Sequence, residues 1–198
     1  MKKHEKSPSA VFKSGGVVIF PTDTVYGIGC KFDNIEGIER IYKIKGTPKI
    51  QNFPVLVSNI SQVEKIADIN NVARQLMEKH WPGGLTIILP VRHDADPSLS
   101  LRAKRSNLYS KESSYKIGFR MPNLASLQKI INDVGPIIGT SANIHGKKAP
   151  TSQEELDPKL ISLADYVIRG ECKKGIESTV VDTTVEPPKI LRQGTVKL

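Results

Sequence analysis

The stretch Gly15–Gly29, GGVVIFPTDTVYGIG, decides how the rest of the chain is read. Val17–Phe20 is an apolar, β-branched run with the length of a buried strand. At Pro21 it gives way to two threonines and an aspartate, with glycines at 27 and 29. A strand-exit turn needs less chemistry than this. In one reading Asp23 bonds nearby backbone N–H groups and the segment is only a turn. In the other, Thr22 or Thr24 bonds a small polar ligand, and the glycines let that ligand come close. The residues alone leave both readings open.

Upstream, Ser7, Pro8 and Gly15 predict a short helix capped by the serine, entered at the proline and ended at the glycine. Downstream, Asp33 and Glu36 have capping-box spacing, Ile35, Ile38, Ile41 and Tyr42 form one stripe, and Gly46 stops the helix. FPVLVS and LTIILP read as buried strands. Between them, SQVE (61–64) repeats the capping-box spacing, and Val72, Leu76, Met77 and His80 share one face of a second helix. Residues 91–115 are polar, basic and without steady period, so they read as a long loop. KIGFR is a strand, and NLASLQKIINDVG is a helix expected to be capped by Asn123. PIIG is a strand, and SQEEL opens a short helix with Ser152 and Glu155 in cap spacing. DYVIRG, STVVD and KILRQG complete the strands.

Helices and strands therefore alternate early and a β-rich tail follows. This predicts an α/β architecture: an open twisted sheet with helices on both faces, formed by residues 1–198 as a single domain. Such sheets bind ligands in loops beyond the strand ends. The candidate loops are 21–31, 46–53, 139–151 and 170–178, all rich in Gly, Pro and small hydroxyls.

Composition narrows the function. The chain has 198 residues, 38% of them hydrophobic and 25% charged, as in ordinary globular domains. No apolar run reaches the length of a membrane helix, and the lysine-bearing N-terminus lacks the apolar segment of a secretory signal. Two distant cysteines, Cys30 and Cys172, fit a reducing compartment, hence a cytoplasmic protein, rather than a disulfide scaffold or zinc site. The net charge of +9 favours polyanionic ligands such as nucleotides, pyrophosphate or RNA. There is no GxxxxGK[ST] loop, no GxGxxG, no HExxH and no GxSxG. The four histidines have no ligand-like neighbours in sequence, so no metal site is predicted. An enzyme built this way works by positioning and electrostatics.

Taken in order, GGVVIFPTDTVYGIGC, IERIYKIKG, WPGGLTIILP, IGFRMPN, IIGTSANIHGKKAPTS and STVVD…ILRQG resemble the motifs of the Sua5/YrdC family, from about Gly15 to Gly194. The resemblance implies a YrdC-like mixed sheet of about seven strands around a positively charged hollow. It implies synthesis of threonylcarbamoyl-AMP and pyrophosphate from L-threonine, bicarbonate and ATP, with Mg²⁺ accompanying the ATP. A transferase complex of other proteins would then pass the threonylcarbamoyl group to tRNA position 37. Residue by residue, it places Thr24, Arg120 and Ser178 at the substrate threonine. It places Lys45, Gln51, Ser141, Asn143 and Arg192 at ATP, with Lys45 also the catalytic cation that neutralises phosphate charge.

The match departs in one loop. The family's KxR element reads Lys45-Gly46-Thr47 here, and the following segment carries Gln51, Asn52 and Phe53. Threonine offers neither the fork nor the charge of arginine. Lys43, Lys45 or Lys49 are candidates to replace it. An alternative of another class is a catalytically weak or inactive relative that binds RNA or the ribosome through the same basic hollow. At 6% aromatic residues, the chain is poor in the stacking platforms of single-strand binders.

Overall fold

The computed structural model describes residues 7–48, 52–92, 115–173 and 175–198. Its strands are β1 (Val18–Phe20), β2 (Gly27–Lys31), β3 (Val55–Leu56), β4 (Leu85–Pro90), β5 (Lys116–Arg120), β6 (Ile137–Ser141), β7 (Tyr166–Val167), β8 (Thr179–Asp182) and β9 (Lys189–Arg192). They form one mixed sheet in the order β7-β1-β2-β6-β3-β5-β4-β8-β9. The pairs β1·β7, β3·β5 and β4·β8 are parallel, and the others antiparallel.

Among the described residues the sheet has nine strands, where about seven were expected. One of them, β2, falls inside the segment expected to be the loop 21–31. Its glycines disguise it, because glycine is depleted in strands. At Gly29 the reason is close approach: a Cβ there would lie 2.0 Å from the Ile138 carbonyl oxygen.

The helices are α1 (Pro8–Lys13), α2 (Ile35–Lys45), α3 (Ile60–Glu64), α4 (Asn71–His80), α5 (Ala125–Val134) and α6 (Pro158–Leu163). Strand alternation divides the core in two. Ile19, Ile28, Val55, Ile87, Phe119 and Val181 face one way and pack with Ile38 and Ile41 of α2, Val63 of α3, Met77 of α4 and Leu160 of α6. Val18, Phe20, Leu56 and Ile137 face the other way, under Phe12 of α1 and Leu127 and Ile131 of α5. The second face is thus covered at its β1–β2–β6–β3 end. Its β5–β4–β8–β9 end is where the cavity described below opens.

Several caps differ from expectation. Ser7 does cap α1, accepting from the Ala10 amide, and Gly46 ends α2 at φ 63°, a left-handed conformation suited to glycine. Asn34, not Asp33, caps α2. Asn59 caps α3, while Ser61 lies inside that helix. Asn123 does not cap α5: the N-cap position falls on Leu124, which has no capping side chain, and the Asn123 backbone N–H donates to Asp23. SQEEL forms a turn in which Glu155 accepts from the Thr151 amide and hydroxyl. The helix comes later, at α6, where Asp157 caps and Pro158 leads. On α4 the buried residues are Ala73 and Met77, and Val72 is exposed. The long loop 91–115 lies mostly outside the described residues.

Among the described residues no helix is long and apolar enough to cross a membrane. Neither Cys30 nor Cys172 is in a disulfide among the described residues.

Candidate active site

The period-2 rule that buries Ile117 and Phe119 turns Lys116, Gly118 and Arg120 to the opposite face. The same alternation turns Thr86 and Ile88 of β4, and Val180 and Asp182 of β8, to that face. These residues floor a cavity of about 630 Å³, within the usual range for small-molecule sites. Its walls come from the β1 exit (Thr22, Thr24), the α2 end (Lys45, Thr47), the β6 exit (Ser141, Asn143) and the β8–β9 edge (Ser178, Arg192). Thr24, Lys45, Arg120, Ser141, Asn143, Ser178 and Arg192 therefore converge on one cavity, although they span most of the chain. Gln51 lies outside the described residues.

Arg120 is 7% exposed and heavily engaged. Its Nε donates to the Gly83 carbonyl (3.0 Å), Nη1 to Thr24 Oγ1 (2.8 Å) and Nη2 to Asp23 Oδ1 (2.6 Å). Guanidinium carries five N–H donors, so one remains on each terminal nitrogen. Burial pushes its pKa below the ordinary arginine value, and Asp23 opposes that. Asp23 is thus more than a turn former. It is a buried counter-ion whose Oδ2 has no partner among the described residues. Sequence reasoning left this role open because the partner lies 97 residues away.

Proton accounting fixes the character of Thr24. The Thr22 hydroxyl donates to the Val25 carbonyl (2.8 Å). Its 2.9 Å contact with Thr24 Oγ1 is therefore donated by Thr24. Thr24 also accepts from Arg120, so a lone pair is what its hydroxyl has left to offer a ligand.

At the β8–β9 edge, Arg192 donates to the Ser178 carbonyl (3.1 Å), the Ser178 hydroxyl (3.1 Å) and Glu177 Oε2 (2.9 Å). Ser178 Oγ also pairs with Thr86 Oγ1 at 2.9 Å. Thr86 was not singled out from sequence, though alternation along LTIILP places it on the cavity face.

Lys45 is 4% exposed. Its Nζ donates to the carbonyls of Ser141 (2.5 Å) and Asn143 (2.7 Å) and to Asn143 Oδ1 (3.2 Å). Burial pushes its pKa down to about 8, while the charge of Glu177 pulls the other way. In this state Lys45 clamps the β6 exit to α2. The Asn143 side-chain amide donates to the Lys147 carbonyl, and its backbone N–H to the Ser141 carbonyl (2.9 Å). Ser141–Asn143 is therefore a tight turn. Thr47 is 7% exposed and lines the cavity, with a hydroxyl that has no partner among the described residues.

The lining is less cationic than the +9 of the chain suggests. Lysines 45 and 116 and arginines 120 and 192 share it with Glu177 and Asp182. Among the described residues no three His, Cys, Asp or Glu side chains are grouped to hold a metal. His80 is half-buried at the end of α4, and burial followed by the charge of Lys79 pushes its pKa down. Burial pushes the Cys172 thiol up, which is the wrong direction for a reactive thiolate.

Residues 10–194 match the family model for Sua5, YciO and YrdC, described as telomere recombination. The chain is 34% identical over 192 residues to threonylcarbamoyl-AMP synthase of Bacillus subtilis, covering 94% of this chain and 52% of that protein. It is 30% identical to the uncharacterized protein YciO of Escherichia coli K12, covering 93% and 85%. The crystal structure of Pyrococcus abyssi Sua5 complexed with L-threonine superposes with a TM-score of 0.81 at 31% identity, over 94% of this chain and 52% of that one. The chain thus spans about half the length of the Bacillus subtilis and Pyrococcus abyssi proteins, and most of that of YciO. It belongs to the Sua5/YciO/YrdC family.

Proposed function

We propose that the chain is a threonylcarbamoyl-AMP synthase that acts in the cytoplasm as one YrdC-like domain. The observation that carries this reading is the pairing of a buried guanidinium with an acceptor-only hydroxyl beside it. Arg120 keeps one N–H on each terminal nitrogen, a match for an amino-acid carboxylate. Thr24 keeps a lone pair, a match for the amine. Ser178 adds a hydroxyl held by Thr86 and Arg192. The relative whose structure holds L-threonine supports this amino acid as the substrate.

The reaction begins when the threonine amine captures carbon dioxide derived from bicarbonate, giving a carbamate and releasing a proton. A carbamate oxygen attacks the α-phosphorus of ATP, and pyrophosphate leaves. Mg²⁺ enters as the companion of ATP, held by phosphate oxygens. The chain gathers the reactants on one floor, keeps water from labile intermediates and places cations near the phosphates. Ser141, Asn143 and Arg192 flank the nucleotide, and Gln51 is assigned there by family resemblance. Lys45 leaves its carbonyls to meet phosphate or holds the wall that does. The product passes to a tRNA threonylcarbamoyl transferase complex.

The test supplies the protein with L-threonine, ¹⁴C-bicarbonate and ATP. A labelled adenylate and pyrophosphate, both dependent on threonine, are expected. Tight, salt-sensitive RNA binding with no such product would favour the alternative of a non-catalytic RNA-binding relative.

A further inference from the structure

Alternation along β8 turns Ser178, Val180 and Asp182 to the cavity, so Thr179, like Val181, points the other way, behind the floor. Thr179 is fully buried. A valine would fill such a place, yet a hydroxyl stands there and uses its full capacity of one donor and two lone pairs. It donates to the Val196 carbonyl (2.6 Å) and accepts from the amides of Gly194 (2.9 Å) and Val196 (3.1 Å). These partners all lie in the segment 194–196 that follows β9. Nothing of the hydroxyl is left to offer a ligand, so its work is done through that segment.

The segment braces two strand entries. Thr195, between the two anchored amides, donates its own amide to the Glu177 carbonyl (3.1 Å) and its hydroxyl to the Gly84 carbonyl (3.3 Å). The adjacent carbonyl at each entry holds a cavity arginine: Ser178 accepts from Arg192 Nε (3.1 Å), and Gly83 from Arg120 Nε (3.0 Å). In each pair, Gly83–Gly84 and Glu177–Ser178, one carbonyl fixes an arginine and its neighbour is fixed by Thr195. The Thr179 amide closes the knot by donating to Gly84 (2.9 Å). The fit leaves no room for side chains. A Cβ at Gly84 would lie 2.0 Å from Thr195 Oγ1 and 3.4 Å from Thr24 Cγ2, and one at Gly194 would lie 2.2 Å from the Glu177 carbonyl oxygen. Thr24, Arg120 and Ser178 therefore all adjoin this knot, whereas Lys45 and Asn143 are tied to each other on a different wall.

We propose that Thr179 is a positioning residue for the amino-acid site: from behind the floor, its hydroxyl holds Gly194–Val196 as a brace that keeps Arg120 and Ser178 in register with Thr24. This rests on the synthase reading for the identity of the ligand, L-threonine. L-threonine is titrated calorimetrically into the wild-type chain, Thr179→Val, Thr179→Ser and Gly194→Ala, with thermal unfolding of each followed by circular dichroism. Thr179→Val keeps the shape but drops the hydroxyl, and it weakens threonine binding about 10-fold or more, the worth of one displaced hydrogen bond to a charged group. Thr179→Ser stays within about threefold of wild type because the hydroxyl is kept. Gly194→Ala leaves Thr179 intact but pries the segment from Glu177, and it reproduces the loss. Leu160→Ala, a truncation of the core at α6, lowers the melting temperature and keeps wild-type threonine affinity. Wild-type affinity in Thr179→Val or in Gly194→Ala overturns the proposal. An equal loss of affinity in Leu160→Ala also overturns it, since lowered stability alone would then account for the effect. A wild-type chain that binds threonine yet forms no adenylate sinks only the synthase reading, and one that binds no threonine sinks both.

Discussion

Replacing Asp23 with alanine removes the acceptor for both Arg120 Nη2 and the Asn123 amide. The pair it breaks is buried on both sides, with 8% and 3% of the side chains exposed. Removing one partner of such a pair costs about 3–5 kcal/mol, because the other charge stays behind without compensation. For a domain of this size each kcal/mol lowers Tm by roughly 2–4 °C, so the midpoint falls by roughly 6–20 °C. Arg120→Ala costs a similar amount by stranding Asp23. The double variant is destabilised by less than the sum of the singles, by roughly 1–3 kcal/mol, as expected for residues in direct contact. Urea unfolding followed by circular dichroism gives all three values. A loss below about 1 kcal/mol for Asp23→Ala, the range of exposed pairs, would refute the reasoning. Strict additivity in the double variant would refute it too.

Lys45 has a pH signature. Its pKa is held at about 8 in the fold against an ordinary 10.5, a penalty on the charged form of roughly 3 kcal/mol. The unfolded chain keeps that proton to higher pH, so the penalty is full below pH 8 and fades toward 10.5. Wild type should therefore gain stability relative to Lys45→Met between pH 7 and 9.5, and a constant difference across that range counts against the burial argument. At Thr47 the unpartnered hydroxyl faces the cavity. Thr47→Arg should tighten ATP binding about 10-fold or more if phosphate passes there. Unchanged affinity in calorimetry would mean that phosphate passes elsewhere.

Much of the fold was legible because burial writes periodicity into sequence. VVIF, LTIILP and KIGFR became β1, β4 and β5, and Gly46 ends α2 in the conformation its identity predicts. Caps were less legible, since Asp33 and Asn34 both suit the position and backbone geometry chose the second. The strand β2 was hidden by its glycines, which the Phe20 ring at Gly27 and the Ile138 carbonyl at Gly29 require. At the site, the residues marked by family resemblance that the structure describes, all but Gln51, line one cavity, but their partners were not legible. Asp23 finds Arg120 across 97 residues, and Lys45 finds backbone carbonyls 96 and 98 residues away, which leave no trace in a motif. The alternation Lys-Ile-Gly-Phe-Arg did carry a usable signal. It places Lys116 and Gly118 on the face of Arg120, a placement that follows from period 2 alone.

The most direct test of the account is a crystal structure of the chain with L-threonine and a non-hydrolysable ATP analogue. The account predicts both ligands on the floor formed by β4, β5 and β8. The threonine carboxylate should lie on the free Arg120 N–H groups, its amine at Thr24 Oγ1, and the phosphates along the same cavity. Threonine bound away from Arg120, or a nucleotide outside this cavity, would contradict it.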